Sequence, residues 1–207
     1  MADADDGLEI IALELLSHAR AAEPGVSMDV KAVSDSHRGA LEGWEFRLKS
    51  QESLLRKVRE RLAHRAWGDI ESTAAGIKDL LRYTIVFPAA TYSESVGPTV
   101  AALLAAGYSM IGFKNFWAQK DLPYRGINTW LCTPDGLVFE VQFHTPESWA
   151  TKQTHSHPLY VQWRSETEQS RSSALFREML DIWSAVIVPD GAQSLDDPTL
   201  RSTGATE

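Results

Sequence analysis

The most regular pattern in the chain is LVFEVQFH, residues 137–144, where apolar and polar positions alternate. Leu137, Phe139, Val141 and Phe143 share one parity; Val138, Glu140, Gln142 and His144 share the other. A period of two predicts a strand with the apolar parity turned to a core. Pro134-Asp135-Gly136 precedes it, turn chemistry that pairs it as a hairpin with a strand over about 127–133. LLRYTIVF (80–87), rich in β-formers and stopped by Pro88, predicts another strand. Residues 108–117 predict a further one with polar interruptions.

Helical spacing appears elsewhere. Leu8, Ile11, Ala12, Leu15, Leu16 and Ala19 form one stripe over 7–22, which Pro24-Gly25 is expected to end. Further helices are expected over about 28–43, 51–66, 91–106, 146–153 and 170–187, with a short helix and turn in DIESTAAG. The chain beyond Pro189 is polar and is expected to be loose. This order predicts an α/β (α+β) chain, a mixed sheet of four or five strands flanked by helices. The expected division is N-terminal helices over 1–45, the main domain over 46–188 and a flexible tail over 189–207.

Composition narrows the partners. A net charge of −8 argues against broad binding to nucleic-acid backbone or to an anionic membrane. Acids gather at the ends, at Asp3, Asp5, Asp6 and Glu9 and again at Asp190, Asp196, Asp197 and Glu207, whereas bases gather between Arg47 and Arg65. An acidic chain with one basic segment suits a small polyanionic ligand. The one cysteine, Cys132, excludes an internal disulfide framework and a cysteine zinc site. No run approaches 18 apolar residues, so no membrane span is expected. The start, MADADDGLEI, has neither a basic n-region nor an apolar h-region. A cytoplasmic protein and a mature secreted form both fit it.

Four features carry candidate chemistry. In RLKSQESLLRK, Arg47, Lys49, Ser53, Arg56 and Lys57 gather around the start of a helix that Ser50 or Ser53 can cap. Cations beside free amide N–H groups suit phosphates; a solvated basic helix face fits the pattern equally well. Asp79 and Arg82 flank the start of the 80–87 strand, where spacing alone favours a strand-capping Asp and a surface Arg. If Asp79 already lies in the strand it faces away from Arg82 and Thr84; if it lies in the turn before, that parity lapses. Glu140 in mid-strand is unusual, because half-buried strands disfavour acids, although an exposed sheet face would tolerate it. Asp79 and Glu140 together can hold Mg²⁺, leaving other positions to water and substrate phosphate. In WATKQTHSHPLYVQWR, Lys152, His155, His157, Tyr160 and Arg164 suit phosphate contacts better than a metal.

In this order the motifs over about 40–165 resemble the synthetase domain of RelA/SpoT-type alarmone synthetases, with its nucleotidyltransferase-like fold. Arg47, Lys49, Ser53 and Lys57 match the family's Arg-x-Lys-x-x-x-Ser-x-x-x-Lys motif. KDLLRYTIVF is similar to its metal-binding Asp strand, YRGINTW to its acceptor loop, FEVQFHT to the strand with its catalytic Glu, and HPLY to its His-x-x-Tyr. The resemblance implies Mg²⁺ as cofactor, held by Asp79 and Glu140, which are also the catalytic pair. It implies ATP bound by Arg47, Lys49, Ser53, Arg56, Lys57 and Arg82. It implies an acceptor bound by Tyr124, which stacks on the base, and by Asn128, Gln142, His144, Lys152 and His157.

Departures mark this chain. Asn128 stands where the family has His, Thr84 where it commonly has Arg, and His144 where relatives carry Arg. These features look most like the secreted nucleotide 3′-pyrophosphokinases of actinobacteria, and also like toxic small alarmone synthetases. The implied function is transfer of the β,γ-pyrophosphate of ATP to the 3′-hydroxyl of a purine nucleotide, giving (p)ppGpp- or (p)ppApp-type products and AMP. The alternatives are pyrophosphorylation of tRNA 3′ ends and a noncatalytic nucleotide-binding module. A secreted location follows from the first likeness, with the cytoplasm as the alternative.

Overall fold

The computed structural model describes residues 2–64 and 69–201. The strands are β1 (Ala40–Glu42), β2 (Arg82–Val86), β3 (Ser109–Asn115), β4 (Ile127–Cys132) and β5 (Val138–His144). They form one sheet in the order β1-β2-β5-β4-β3, with β2 and β5 parallel and the remaining pairs antiparallel. The helices are α1 (Ala2–Ser36), α2 (Gln51–His64), α3 (Ile70–Ala75), α4 (Tyr92–Ala105), α5 (Pro146–Thr151), α6 (His157–Ser165) and α7 (Gln169–Ser184). The mixed five-stranded sheet flanked by helices is the architecture the sequence pattern predicts.

The strand at the centre is β5, and both its faces are covered. Phe139, Val141 and Phe143 have no accessible surface, and Glu140, Gln142 and His144 are 6%, 5% and 0% exposed. The exposed face that would excuse an acid in mid-strand therefore does not exist. The apolar parity meets Tyr83, Tyr108 and Phe87: Phe139 sits edge-on to both tyrosines, and Phe143 stacks on Phe87. This aromatic layer forms much of the core.

Pro24 does not end a helix; it lies inside the 35-residue α1. Proline removes one backbone hydrogen bond, but the buried stripe Leu8, Ala12, Leu16, Ala19, Val26 and Val30 continues past it. Packing of that stripe outweighs the local break. No separate helix spans 28–43, because α1 runs to Ser36 and residues 40–42 form β1. Gly39 makes the turn between them possible, since a Cβ there would sit 2.5 Å from Ile85 Cγ2. The helix expected over 51–66 is α2, and its last two positions lie outside the described residues.

Farther along, Pro146, Thr145 and Ser148 start α5 through a capping box. A π-helical turn, Lys152–Ser156, joins α5 to α6. Pro158, in the first turn of α6, has no N–H with which to continue the α ladder. Beyond Pro189, Ala192 is buried, and Asn115 Nδ2 donates to the Ala192 and Leu195 carbonyls at 2.7 and 2.9 Å.

Gly39→Ala is expected to lower stability by about 1–3 kcal/mol, because the new methyl meets packed side chains of β2. Urea unfolding of the two proteins checks it; equal midpoints would show that the turn has room.

Candidate active site

Residues 47–49 run antiparallel to residues 80–82. Arg82 N donates to the Arg47 carbonyl at 2.8 Å, Lys49 N donates to the Leu80 carbonyl at 2.9 Å, and Leu48 bridges Leu81. This pairing sets Lys49 beside Asp79, with Nζ 2.9 Å from Oδ2. Helix α2 brings Lys57 to the other oxygen, at 2.7 Å. The Ser50 hydroxyl caps α2 by accepting from Ser53 N at 3.2 Å and donates to the Ser53 hydroxyl at 3.0 Å.

Asp79 precedes β2, so strand parity does not govern where it points. Burial pushes its carboxyl up, but Lys57 and Lys49, by charge and by hydrogen bond, outweigh that and hold it at about 2. Lys49 is itself drawn down by burial and by the charges of Lys57 and Arg82, despite its ion pair with Asp79.

Glu140 forms the opposite pole of the site. The register sets it beside Arg82 on β2 and beside Trp130 on β4. Burial raises its pKa, the Arg82 guanidinium opposes the rise, and the Asp79 carboxylate adds to it. Asn128 Nδ2 donates to Glu140 Oε1 at 3.0 Å, and Gln142 also hydrogen-bonds the carboxylate. Lys152 Nζ, carried on the π-helical turn, donates to Gln142 Oε1 at 2.5 Å. Burial and the nearby Arg82 charge draw the Lys152 ammonium down to about 7.

Asp79 and Glu140 line one cavity of about 220 Å³, together with Lys57, Arg61, Gly76, Lys78 and Trp130. Arg61 is tied to the Gly76 carbonyl at 2.8 Å. Lys78 Nζ lies over the Trp130 indole, 6.0 Å from its centre. The indole crosses β3 where Gly112 has no side chain; a Cβ there would meet it at 3.2 Å. Arg61, Lys78 and Trp130 are absent from the sequence-based site. Two signals mark them: Arg61 lies one helical turn beyond Lys57, and Trp130 shares strand parity with Asn128.

The other expected residues divide. Arg47 is not among the cavity residues; its guanidinium stacks on Trp44 at 4.7 Å and donates to Glu23 of α1 at 2.5 Å. Arg56 is half exposed, with Glu60 at 4.0 Å, and Arg164 reaches the same Glu60 from α6 at 3.4 Å. Tyr124 is half buried, edge-on to Phe116 and His144 and tilted against Trp183. His144 has no accessible surface, so any influence on an acceptor passes through its neighbours, Tyr124 above all. Exposed His157 is held below its ordinary value by partial desolvation and by the charges of Lys152, Arg82 and Arg164.

Two residues of the acceptor-loop motif are structural. Arg125 is buried and donates to the carbonyls of Gln119, Leu122, Tyr124 and Lys120, which knits the loop into one conformation. Gly126 has φ of 153°, and a Cβ there would meet His144 Cε1 at 3.0 Å.

Two carboxylates that face one cavity and repel one another suit a hard divalent cation. Among the described residues no cluster of three or more His, Cys, Asp or Glu side chains forms. A Mg²⁺ ion between Asp79 and Glu140 would take its remaining ligands from water and from phosphate oxygens, as Mg²⁺ ordinarily does.

No protein-family model and no curated protein matches the sequence. Solved structures do match the fold. The Type VI effector Tas1, in complex with its immunity protein, is 20% identical over 83% of this chain and 94% of its own, with a TM-score of 0.59. A GTP pyrophosphokinase family protein from Streptococcus pneumoniae is 14% identical over 89% of this chain and 97% of its own, with a TM-score of 0.57. Small alarmone synthetase 1 from Bacillus subtilis, bound to its product pppGpp, is 14% identical over 90% of this chain and 94% of its own, with a TM-score of 0.54. The chain therefore has the fold of these structures.

The Asp79 environment predicts a pH signature. Its folded pKa of about 2 lies below the ordinary 3.8, so its contribution is present above pH 3.8 and is lost as pH falls toward 2. Wild type is expected to exceed Asp79→Asn in stability by about 2 kcal/mol at pH 6, with the gap closing below pH 3.8. Urea titrations at several pH values check this; a gap independent of pH would contradict it.

Proposed function

We propose that this chain transfers the β,γ-pyrophosphate of ATP to the 3′-hydroxyl of a free purine nucleotide and releases AMP. The observation that carries this reading is the position of Glu140. It is a buried carboxylate with a raised pKa, held by two amides in the wall of a cavity whose other walls carry Lys57, Arg61 and Lys78. A carboxyl raised by burial in a cleft is a stronger base than an exposed one and suits proton abstraction. The excess of cations suits a triphosphate. The fold shared with pyrophosphokinase-family and alarmone-synthetase structures supports the same reading.

The residues divide the work. Lys49, Lys57, Arg61, Lys78 and Arg82 neutralise the ATP phosphates, with Lys49 and Lys57 held in place by Asp79. Glu140 takes the proton of the acceptor 3′-hydroxyl. That oxygen forms a bond to the β-phosphorus as the bond from the β-phosphorus to the bridging oxygen of AMP breaks. Mg²⁺ bound at Asp79 and Glu140 would supply further charge neutralisation at the phosphates. Lys152, linked to Glu140 through Gln142, and exposed His157 suit the acceptor's own phosphates. Catalysis then rests on positioning and on fixed charge, as in other phosphoryl transfers.

Glu140→Gln keeps the shape and removes the charge. It is expected to lower AMP release by about a hundredfold or more while the chain stays folded. Incubation with labelled ATP and either GDP, GTP, ATP or tRNA identifies the acceptor. Label on a free nucleotide supports the proposal, label on tRNA alone replaces it, and ATP binding without AMP release makes the chain a binding module.

A further inference from the structure

A continuous line of hydrogen bonds runs from α5 to Glu140. The Ser148 hydroxyl lies 2.9 Å from His144 Nδ1, His144 Nε2 lies 2.8 Å from the Tyr124 hydroxyl, that hydroxyl donates to Asn128 Oδ1 at 2.9 Å, and Asn128 Nδ2 donates to Glu140 Oε1 at 3.0 Å.

The chemistry of each group sets the direction. An ionised carboxylate only accepts, so the Asn128 NH₂ must face Glu140. Asn128 then turns its oxygen to Tyr124, whose one hydroxyl hydrogen it receives. Tyr124 has no second hydrogen, so His144 must donate through Nε2–H and accept at Nδ1, from Ser148. Burial holds Tyr124 as the neutral phenol and His144 as the neutral imidazole, so both keep these roles.

A second line ends on the same carboxylate. Lys152 has no acceptor, so the Gln142 oxygen must face it and the Gln142 NH₂ must face away, where it meets Glu140. Each amide is therefore locked against a 180° flip by a donor behind it. The frame around the first line is rigid: Phe116 and Trp183 wedge the Tyr124 ring, and Trp183 is itself held by the Ser156 hydroxyl at 2.7 Å.

We infer that the Tyr124 hydroxyl and the buried His144 are positioning residues, which lock the Asn128 carboxamide with its NH₂ on Glu140 and so hold that carboxylate aimed into the cavity. This gives Tyr124 a role separate from any stacking by its ring. His144 acts in it through Tyr124. The inference rests on the proposed role of Glu140 as proton acceptor, but the hydrogen-bond line itself can be observed without turnover.

Tyr124→Phe separates the two roles of the tyrosine, because it keeps the ring and removes the hydroxyl. It is expected to lower kcat by about tenfold or more, with KM for ATP and for the acceptor within about twofold of wild type. His144→Leu should match that loss. His144→Gln, whose Nε2 can replace the imidazole donor, should recover most of it. The double variant Tyr124→Phe/His144→Leu should be no worse than either single change, since one line is broken in each.

The readout free of turnover is solvent exchange of the Asn128 side-chain amide by NMR, its signal identified by its loss in Asn128→Ser. Tyr124→Phe should speed that exchange by about tenfold or more. If Tyr124→Phe raises only the acceptor KM and leaves the amide as protected as in wild type, the inference is overturned. If wild type releases no AMP with any acceptor, the proposed function fails. The amide exchange alone then decides the inference: faster exchange in Tyr124→Phe upholds it and unchanged exchange overturns it.

Discussion

A carboxylate in the middle of a central strand constrains everything around it. Glu140 is covered on both sides by the neighbouring strands and is 6% exposed. An ionised group so placed is costly unless it is paired and hydrogen-bonded. The sheet meets that cost from three directions. Register puts the Arg82 charge beside Glu140, β4 supplies the Asn128 amide, and β5 supplies the Gln142 amide one pleat along. None of these works alone, because each amide needs a fixed partner behind it. The tight loop around Arg125, the absence of a Cβ at Gly126 and the π-helical turn that carries Lys152 all serve that need.

The local charge balance runs opposite to that of the whole chain. The chain carries a net −8. Around the cavity, Lys49, Lys57, Arg61, Lys78 and Arg82 outnumber Asp79 and Glu140. Asp79 bridges two ammonium groups, and Lys49 is drawn down by burial and by the other cations near it. Such a local surplus of positive charge suits an anionic ligand. A globally acidic surface around a locally cationic cleft also disfavours long polyanions at every point except that cleft.

Much of this was legible in the sequence, and the rest was hidden for physical reasons. The 137–144 alternation and the Pro134-Asp135-Gly136 turn are local signals, and each stands where the pattern predicts. What the pattern could not resolve was burial of the polar parity. Period two tells which residues share a face but not what covers it, so the full burial of His144 emerges only with α5 and Trp149 packed over it. Pro24 misled because the cost of a proline is local while the α1 stripe is rewarded by distant packing. Asp79 lies in the turn that precedes β2, where parity has no force, and it is placed instead by lysines 22 and 30 residues away in sequence.

The unbroken run of α1 carries one more consequence. Glu23 holds Arg47 and also accepts from Ser27, whose hydroxyl meets the Tyr83 phenol. The carboxylate therefore hangs from the same rod that packs Leu8, Ala12, Leu16 and Ala19 into the core. In a helix each residue advances the facing direction by about 100°. An added or deleted residue between Ala19 and Glu23 would swing the apolar stripe and the carboxylate onto different sides of the rod. One of the two would have to leave its partner. Substitutions on the outer side, at Ile10 or Leu13, are free of that linkage. Evolution of this segment should thus tolerate exchange of letters far better than change of length.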